Sequence, residues 1–473
     1  MADTPNEVNS PAYKNAAWTR QQPALTVVRD LAGGTPAMRK ASTTYLPMEA
    51  GEGLTAYEVR LARSLLFNTF VKVREGLIGM ALKRRNPEAE SDIELGPDVP
   101  PILKTQCEDI DLAGNHLDVF AKELFRDVIN DGHAHVLVDQ QKPPAKSVTS
   151  LSPTPTAEDD LVTGRRPYWT KYRKDDAYNF RSDRVNGQTV LTQVTLKETA
   201  TKSDGEYGEK DITRYRVLRL SVVSPKTDDA PAVYGPMVWT LFEEPDKGKD
   251  LNQVDGGSTA LTRIPLVTIY SRRKAFMESD PPLLDLAYLN IGHWQLWSDL
   301  NCILRMLVPI LHIKGEILND TEATAEGAQK PKLKIGPGAS IQTDKDGDVA
   351  YKGADPGATE AQREALIDLE QRMSAVGLSI IAAKQDKEVT LGEKEMDQSE
   401  RMSELATWLR ALKDGLEMLF KIHAVDYLGL PQGGSIVGLD TVSEVNPAAV
   451  TAIDAPKGMP GQQMPGVMNG GVQ

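Results

Sequence analysis

The sequence predicts an α+β fold, in which helices and strands occupy separate stretches of the chain. From Arg166 to Ser271, apolar and polar residues alternate as they do in strands. Leu283–Val308 and Glu395–Tyr427 instead carry apolar residues at the spacing of a helical face. Runs of strands that are separated from runs of helices are typical of α+β proteins.

The composition limits the possible function classes. The chain has 473 residues, of which 40% are hydrophobic, so it can bury a large core and form about two to four domain-sized units. The net charge of −13 argues against tight DNA binding over the whole surface, because phosphate contacts need a basic surface. The polar first residues predict no signal peptide, and the apolar run Ile303–Ile313 is too short and interrupted to cross a bilayer. Cys107 and Cys302 fit a reducing cytoplasm and are expected to be buried, unreactive residues.

The first third of the chain is interpreted as an arm followed by helices. Residues 1–54 are rich in Pro, Gly and polar groups, which favours an extended arm with turns. A capping-box pattern at Thr55–Glu58 predicts a helix that continues to about Ala81. A second helix is predicted from about Asn115, with an apolar face formed by Leu117, Phe120, Ala121, Leu124 and Val128.

Strands are predicted after this helix. Gly132 is expected to cap the helix, and His133–Asp139 to form the first strand. Gln140–Asp160 is predicted to be a polar loop, and Asn186-Gly187 is typical of a hairpin turn. Four further strands are predicted at Val190–Glu198, Tyr215–Val222, Met237–Phe242 and Ile264–Tyr270.

The C-terminal half combines long helices with short strands. Pro281-Pro282 predicts the start of a helix, and Pro309 its end, directly before a strand at Ile310–Ile313. A helix is also predicted at Thr359–Val376, and the segment Pro431–Gln473 is expected to be flexible. Short strands are predicted at Lys332–Ile335, Ser340–Thr343 and Val349–Lys352.

The familiar catalytic motifs are absent from the sequence. The nearest approach to a phosphate-binding loop, Gly205–Lys210, has the wrong spacing, and no HExxH, GxSxG or paired CxxC occurs. His133 and His135 share a strand face but supply only two ligands, so ordinary hydrogen bonds at a strand edge are favoured over a metal site. Asp344–Asp348 favours a hairpin turn over a calcium loop. No catalytic, cofactor-binding or metal-binding residue is therefore predicted.

Two sets of residues are open to a functional or a structural interpretation. Trp294 and Trp297 lie at i and i+3, and an interface anchor and a packed core have equal weight for them. Lys384, Lys387 and Lys394 flank an expected loop and could touch DNA, although residue type alone favours a solvated loop.

Short motifs spread over residues 18–427 carry a family resemblance. In chain order they are Trp18 with Val28-Arg29-Asp30, Tyr45-Leu46-Pro47, Asp109-Ile-Asp111-Leu-Ala-Gly114, Phe120-Ala121, Gly132 with Val136-Leu137-Val138-Asp139, Arg166-Pro167-Tyr168-Trp169, Val185-Asn186-Gly187, Ile264-Pro265-Leu266, Pro281-Pro282-Leu283-Leu284-Asp285-Leu286-Ala287, Asn290-Ile291, His293, Ser298-Asp299, Ile335-Gly336-Pro337-Gly338 and Leu369-Glu370-Gln371-Arg372-Met373. In order and spacing they resemble tailed-bacteriophage portal proteins, in the branch whose shared domain was long catalogued as of unknown function.

The resemblance implies a structural role in the virion. It implies a ring, usually of twelve copies, at one capsid vertex, which conducts double-stranded DNA without sequence specificity during packaging by terminase and during ejection. The implied protein partners are terminase, a head–tail adaptor, and the major capsid and scaffolding proteins. The implied location is the virion, with the host cytoplasm during assembly; no enzyme activity, cofactor or membrane contact is implied.

The resemblance also implies a division of the chain. The expected parts are an N-terminal arm (1–54), a wing (55–280), a stem helix (281–308), a clip (309–358), a second stem helix (359–379), a tunnel-loop region (380–394), a long wing/crown helix (395–430) and a flexible C-terminal tail (431–473). The candidate residues for stem-helix or interface contacts are Trp294, Trp297 and Asp299. Those for the clip are Pro309, Lys314, Lys332 and Lys334, and those for the tunnel loop are Lys384, Lys387 and Lys394.

The sequence departs from the portal pattern in two places. The chain turns polar and Gly/Pro-rich after the long helix, which predicts a small crown, and Gln140-Gln141 replaces the usual aromatic after Val138-Asp139. A different virion protein, such as a minor capsid or head–tail adaptor protein, is the alternative, and an enzyme with an unfamiliar site is a further one. An acidic channel would suit a conduit, because it offers no deep phosphate-binding sites that would hold DNA.

Overall fold

A computed structural model of the protein describes residues 8–83, 91–144, 146–149, 156–227, 231–245, 250–306, 310–314, 346–352, 356–381 and 404–439. The α-helices in this part are α1 (Ala16–Ala32), α2 (Gly34–Ala41), α3 (Leu54–Arg63), α4 (Thr69–Ala81), α5 (Pro101–Gln106), α6 (Leu117–Asp131), α7 (Ala157–Thr163), α8 (Leu284–Met306), α9 (Pro356–Ile381) and α10 (Glu404–Lys421). The predicted α+β class is confirmed.

The strands fall into separate antiparallel sheets. They are β1 (Glu94–Leu95), β2 (His133–Gln140), β3 (Pro167–Arg173), β4 (Ala177–Val185), β5 (Gln188–Asp204), β6 (Gly208–Ser224), β7 (Val233–Glu243), β8 (Asn252–Ser258), β9 (Leu266–Tyr270), β10 (Arg273–Ala275), β11 (Glu278–Ser279), β12 (Ile310–Lys314), β13 (Asp348–Lys352) and β14 (Ile436–Val437). The order is β4-β5-β6-β7-β8 in a five-stranded sheet and β3-β2-β9 in a three-stranded one. The pairs β1–β14, β10–β11 and β12–β13 form two-stranded sheets.

The larger core lies between the helices and the three-stranded sheet. Its fully buried side chains include Leu25, Phe70, Leu124, Leu286, Leu409 and Trp169. A smaller core lies beneath the five-stranded sheet and includes Leu137, Val194, Leu196, Leu218 and Leu220. The helices that hold the candidate site are therefore part of the larger core.

Several local predictions are confirmed. The five predicted apolar residues of α6 are all buried, and Gly132 caps the helix at φ 96°, where a Cβ would lie 2.5 Å from Ser279 Oγ. Asn186 and Gly187 have φ 51° and 80°, so they form the predicted turn between β4 and β5. The four predicted strands lie within β5, β6, β7 and β9, apart from Ile264-Pro265, which precede β9.

The prediction of an extended arm at residues 1–54 is wrong for the described part, residues 8–54, most of which is helical. Asn15 accepts a hydrogen bond from Trp18 N and starts α1, which continues through Pro23. Leu25, Val28 and Leu31 are buried at helical spacing and join the larger core. The high content of Pro and polar residues favoured an extended segment over a helix, although Leu25, Val28 and Leu31 have helical spacing.

The predicted helix from Thr55 to Ala81 is interrupted. It forms α3 and α4, separated by residues 64–68, and the N-cap of α3 is Gly53, without the predicted side-chain capping box. Asn68 caps α4 by accepting a hydrogen bond from Val71 N. The prediction of helix from the apolar periodicity is therefore confirmed on both sides of the break, but the break itself was not predicted.

Two polar segments contain more structure than predicted. Residues 157–163 of the predicted loop Gln140–Asp160 and its continuation form α7. In the predicted flexible tail, Ile436–Val437 pair antiparallel with Glu94–Leu95, and Ile436 and Leu439 are buried. Residues 431–439 therefore belong to the folded body, which corrects the predicted boundary of the tail. No helix in the described residues has the length and apolar character needed to cross a bilayer.

Candidate functional site

The central feature of the C-terminal half is a helix–hairpin–helix unit formed by α8, β12, β13 and α9. The helix α8 begins at Leu284, directly after Pro281-Pro282, and Leu284 N donates to Pro281 O at 3.3 Å. The strands β12 and β13 pair from Ile310↔Lys352 to Lys314↔Asp348. The second helix, α9, then packs along α8. The predicted helix, strand and returning helix are thus confirmed, whereas Pro309 lies outside the described residues.

One face of α8 is apolar and completely buried. Its core residues are Leu286, Ala287, Ile291, Trp294 and Leu300, and the buried Leu283 directly precedes the helix. Trp294 has no exposed surface, so the core interpretation is correct for this residue. Trp297 is 36% exposed, and Leu304, seven residues later on the same helical face, is exposed to the same extent. Trp297 is therefore exposed enough to contact another subunit, whereas Trp294 is not.

Three buried polar side chains, Asn290, His293 and Ser298, form what we call the α8 seam. Asn290 Nδ2 donates to Phe67 O at 2.8 Å, and Asn290 Oδ1 accepts from Phe70 N at 3.0 Å. These are backbone groups at the break between α3 and α4, where helical partners are missing. A single amide side chain thus fixes α8 to the interrupted helix.

The other two seam residues make one hydrogen bond each. His293 Nε2 lies 3.2 Å from Glu370 Oε1 of α9, which joins the two long helices. The hydroxyl of Ser298 lies 2.8 Å from that of Ser64, at the end of α3. His293 Nδ1 and Trp294 Nε1 are buried without a hydrogen-bond partner among the described residues. Most hydrogen bonds of the α8 seam therefore join uncharged groups, and one of its buried polar atoms, His293 Nδ1, has no partner among the described residues.

Asp299 lies at the exposed edge of α8. Its side chain is 44% exposed and lies 4.0 Å from Arg60 Nη1. Partial burial and the charge of Glu49 raise the pKa of Asp299 above its ordinary value. Because Arg60 bonds primarily to Glu52 at 2.7 Å, Asp299 is left as a weakly paired carboxylate on α8.

The remaining candidates are the lysines of the predicted clip and tunnel loop, and the structure describes only one of them. Lys314 is exposed at the end of β12, opposite Asp348. Lys332 and Lys334 of the predicted clip, and Lys384, Lys387 and Lys394 of the predicted tunnel loop, lie outside the described residues. Of the candidate residues, Trp294, Trp297 and Asp299 lie on the same helix, α8, but with different exposure.

A second polar site, which we call the body cluster, consists of Arg29, Asp131, Lys174 and Asp175. Arg29 Nη2 lies 2.8 Å from Asp131 Oδ2 and 2.6 Å from Asp175 Oδ1. Burial opposes the charge on Arg29, yet the hydrogen bonds and charges of Asp175 and Asp131 raise its pKa above the ordinary value. Lys174 Nζ donates to the carbonyls of Asp131 and Ser279, and burial lowers its pKa to about 8.

The two histidines of β2 lie beside this cluster. His133 Nδ1 is 2.6 Å from Ser279 Oγ, and His135 Nδ1 is 2.8 Å from Thr268 Oγ1. The prediction of ordinary hydrogen bonds is confirmed, but β2 is the central strand of its sheet, so their predicted edge position is wrong. Burial and the nearby Lys174 charge lower the pKa of His135 to about 3.

Within the described part of the chain, the surroundings of the two histidines offer few further ligands and little space. Among the described residues no group of three or more His, Cys, Asp or Glu side chains could hold a metal ion. The cavity that His133, His135 and Lys174 line has a volume of about 10 Å³, which is room for one water molecule. Cys107 is likewise enclosed, and burial raises the pKa of its thiol to about 12, so it is not a ready nucleophile.

Several motifs that are far apart in the sequence contact one another. Tyr45 Oη donates to Asp30 Oδ2 at 2.8 Å. Arg166 bonds to Asp109, and Trp169 N donates to Ile110 O at 3.0 Å. Sequence reasoning identified these positions but not their partners, since no local pattern signals a contact over such separations.

The comparisons with known proteins concern the same C-terminal unit. No curated protein matches the sequence. Residues 282–427 match a family model described as a domain of unknown function (DUF4055). The match begins two residues before α8 and ends at Tyr427, the last residue of the π-helical turn that follows α10. The chain is thus similar to DUF4055 proteins over the helix–hairpin–helix unit and the helix that covers it.

Proposed function

We propose that the protein is the portal subunit of a tailed bacteriophage, which assembles into a ring, usually of twelve copies, at one capsid vertex. The observation that carries the proposal is the helix–hairpin–helix unit, in which α8 passes into β12 and α9 returns along α8. This order corresponds to the stem, clip and second stem helix that the sequence resemblance implies. The DUF4055 match covers the same elements.

In this proposal the ring conducts DNA and docks other proteins, without chemistry of its own. The hairpin β12–β13 belongs to the clip, which contacts terminase and later the head–tail adaptor, and Lys314 is one of its exposed charges. The net charge of −13 per subunit keeps the conduit free of strong phosphate-binding sites. Major capsid and scaffolding proteins surround the ring in the assembling head.

The mass and shape of the purified assembly test this proposal. We expect a particle near twelve times 51.8 kDa in native mass spectrometry, and a ring with a central hole in electron micrographs. Co-expression with the scaffolding protein from the same phage genome provides the second arm, since closure of the ring can require it. A monodisperse monomer in both arms contradicts the proposal, as does ATP hydrolysis by this chain alone.

Trp297 gives a residue-level test of the same proposal. The variant Trp297→Ala is expected to keep its helical circular dichroism and thermal midpoint, because the side chain is partly exposed, but to lower the fraction of assembled rings. The matched variant Trp294→Ala is expected to lose about 3–5 kcal/mol of folding stability, because it empties a buried site. Full ring assembly by Trp297→Ala would remove this residue from the subunit interface.

A further inference from the structure

An open groove of about 630 Å³ lies between the three-stranded and five-stranded sheets. One wall is β9, the other is the start of β5 at Gln188–Leu191, and α10 closes one end through Met418. Most of the lining is apolar and consists of Val190, Leu191, Ile264, Phe276, Met418 and Ile422. Met418 is 43% exposed, which is unusual for a large apolar side chain in an otherwise well-packed helix.

The strand β9 presents an unpaired edge to this groove. In the described residues β9 pairs only with β2 and ends its sheet. Val138 N donates to Pro265 O, and Ser271 N donates to Gly132 O, so the odd-numbered positions 265–271 face β2. Because antiparallel strands alternate, the backbone groups of Leu266, Thr268 and Tyr270 point away from β2. An unpaired edge of this kind is a template for an added strand.

The opposite wall contains a second unpaired stretch. Residues 188–191 of β5 pair with β4, whereas pairing between β5 and β6 begins only at Gln193. The groove therefore separates two strand segments that each lack one neighbour among the described residues. Its shape and chemistry fit an extended, apolar peptide segment better than a compact small molecule.

The charge at the rim selects an acidic segment. Arg273 is exposed, with its guanidinium 5.3 Å from the centre of the Tyr270 ring, and supplies a positive charge at the rim. Arg263 is already paired with Asp426 and does not add to this charge. Residues 440–454 read DTVSEVNPAAVTAID, with three carboxylates and no Lys or Arg. Their stretch Ala449–Ile453 contains the β-branched residues Val450, Thr451 and Ile453, which favour an extended strand.

The end of the described chain lies close enough to reach the groove. Leu439 is buried, and Ile436 N donates to Glu417 Oε1 at 2.9 Å, one residue before Met418 of the groove. The seven residues from Asp440 to Asn446 span up to about 25 Å when extended, which exceeds the diameter of a helix. A segment that begins near Pro447 can therefore be placed in the groove.

We propose that residues 448–453, which lie outside the described residues, bind in this groove as an added strand on β9. The backbone of Leu266, Thr268 and Tyr270 supplies the hydrogen bonds. The apolar lining accommodates the side chain of Val450, which lies on the same face of the added strand as Ala452. This inference concerns the subunit itself and is independent of the proposed portal function.

Hydrogen–deuterium exchange at single-residue resolution tests the proposal, with the full chain compared to a chain that stops after Leu439. We expect exchange at Leu266, Thr268 and Tyr270 to be at least tenfold faster in the shortened chain. Val267 and Ile269 donate to β2 and serve as the internal control, so their exchange should not change. A synthetic peptide of residues 440–454 should restore the slow exchange, and its Val450→Asp form should not.

Point variants in the full chain provide a matched control. Val450→Asp should accelerate exchange at the three outward amides, whereas Val467→Asp, in the same C-terminal segment but beyond the proposed strand, should leave it unchanged. Equal exchange in the full and the shortened chain would overturn the proposal. Slow exchange that persists in the shortened chain but disappears on dilution would assign the groove to a second copy, which would also overturn it.

Discussion

The body cluster and the α8 seam both place polar side chains in the larger core, but they satisfy them differently. In the body cluster, Arg29 is held by two carboxylates, and Lys174 by two carbonyls. In the α8 seam, His293 and Ser298 make one hydrogen bond each, and His293 Nδ1 has no partner among the described residues. Redundant charged contacts fix one arrangement, whereas contacts that consist of a single hydrogen bond are exchanged at a lower energetic cost.

This difference suggests a mechanical division within the subunit. The body cluster joins α1, the end of α6 and the turn at residues 174–176 into one rigid unit. The α8 seam joins α8 to α9 through the single His293–Glu370 contact, and to the break between α3 and α4 through the two hydrogen bonds of Asn290. In the proposed portal, α8 and α9 could shift along the seam while the body cluster keeps the wing intact.

Removal of the central carboxylate of the body cluster is expected to have the largest effect. Asp131→Ala leaves Arg29 half-paired and the site buried, so we expect a loss of about 3–5 kcal/mol in the free energy of unfolding, measured with urea. Asp368→Ala is the control, because it removes an exposed i,i+4 partner of Arg372 and should cost less than about 0.5 kcal/mol. Similar losses in both variants would mean that the cluster contributes no special rigidity.

Asn290→Ala is expected to have the next largest effect. It leaves Phe67 O and Phe70 N without their partner at the helix break, and we expect a loss of about 2–4 kcal/mol in urea unfolding. Because Ala preserves the helical propensity of α8, the loss should reflect the missing hydrogen bonds at the break rather than a weaker helix. A loss below about 1 kcal/mol would show that water replaces the side chain at the break.

Features with a local sequence pattern were predicted correctly, whereas the key contacts of the body cluster and the α8 seam were not predicted. The face of α6, the Asn186-Gly187 turn and the start of α8 after Pro281-Pro282 follow local patterns, and each is confirmed. The role of Asn290 depends on a helix break that lies 220 positions earlier in the chain. Asp131 resembles an ordinary charge at a helix end, and only tertiary packing buries it. Tertiary contacts of this kind leave no periodic signal in a single sequence.

The third expected effect is a dependence of the folding stability on acid pH, which arises from His135 beside the body cluster. Burial lowers the pKa of His135 to about 3, against about 6.5 when the chain is unfolded. Between these values the unfolded chain binds the proton and the folded chain does not, so stability falls as the pH is lowered. Each such histidine contributes a slope of up to about 1.4 kcal/mol per pH unit.

Urea unfolding at several pH values from 4 to 7 measures this slope. His135→Gln should reduce it in that interval, even if the variant is less stable at pH 7. Lys174 should act at the alkaline end: its folded pKa of about 8 lies below the ordinary value, so stability should rise between about pH 8 and 10.5. An unchanged slope in His135→Gln would show that this histidine is protonated, or exposed, in the folded protein.

The smallest expected effect tests the seam as a set of replaceable contacts. Ser298→Ala removes one hydroxyl pair, and we expect a loss of only about 1 kcal/mol, because Ser64 Oγ keeps its bond to Arg60 O at 2.9 Å. Ser64→Ala removes both contacts and serves as the comparison. If Ser298→Ala cost as much as Asp131→Ala, the seam would be as rigid as the body cluster. A shift of α8 relative to α3 would then need a different origin, such as a change within α8 itself.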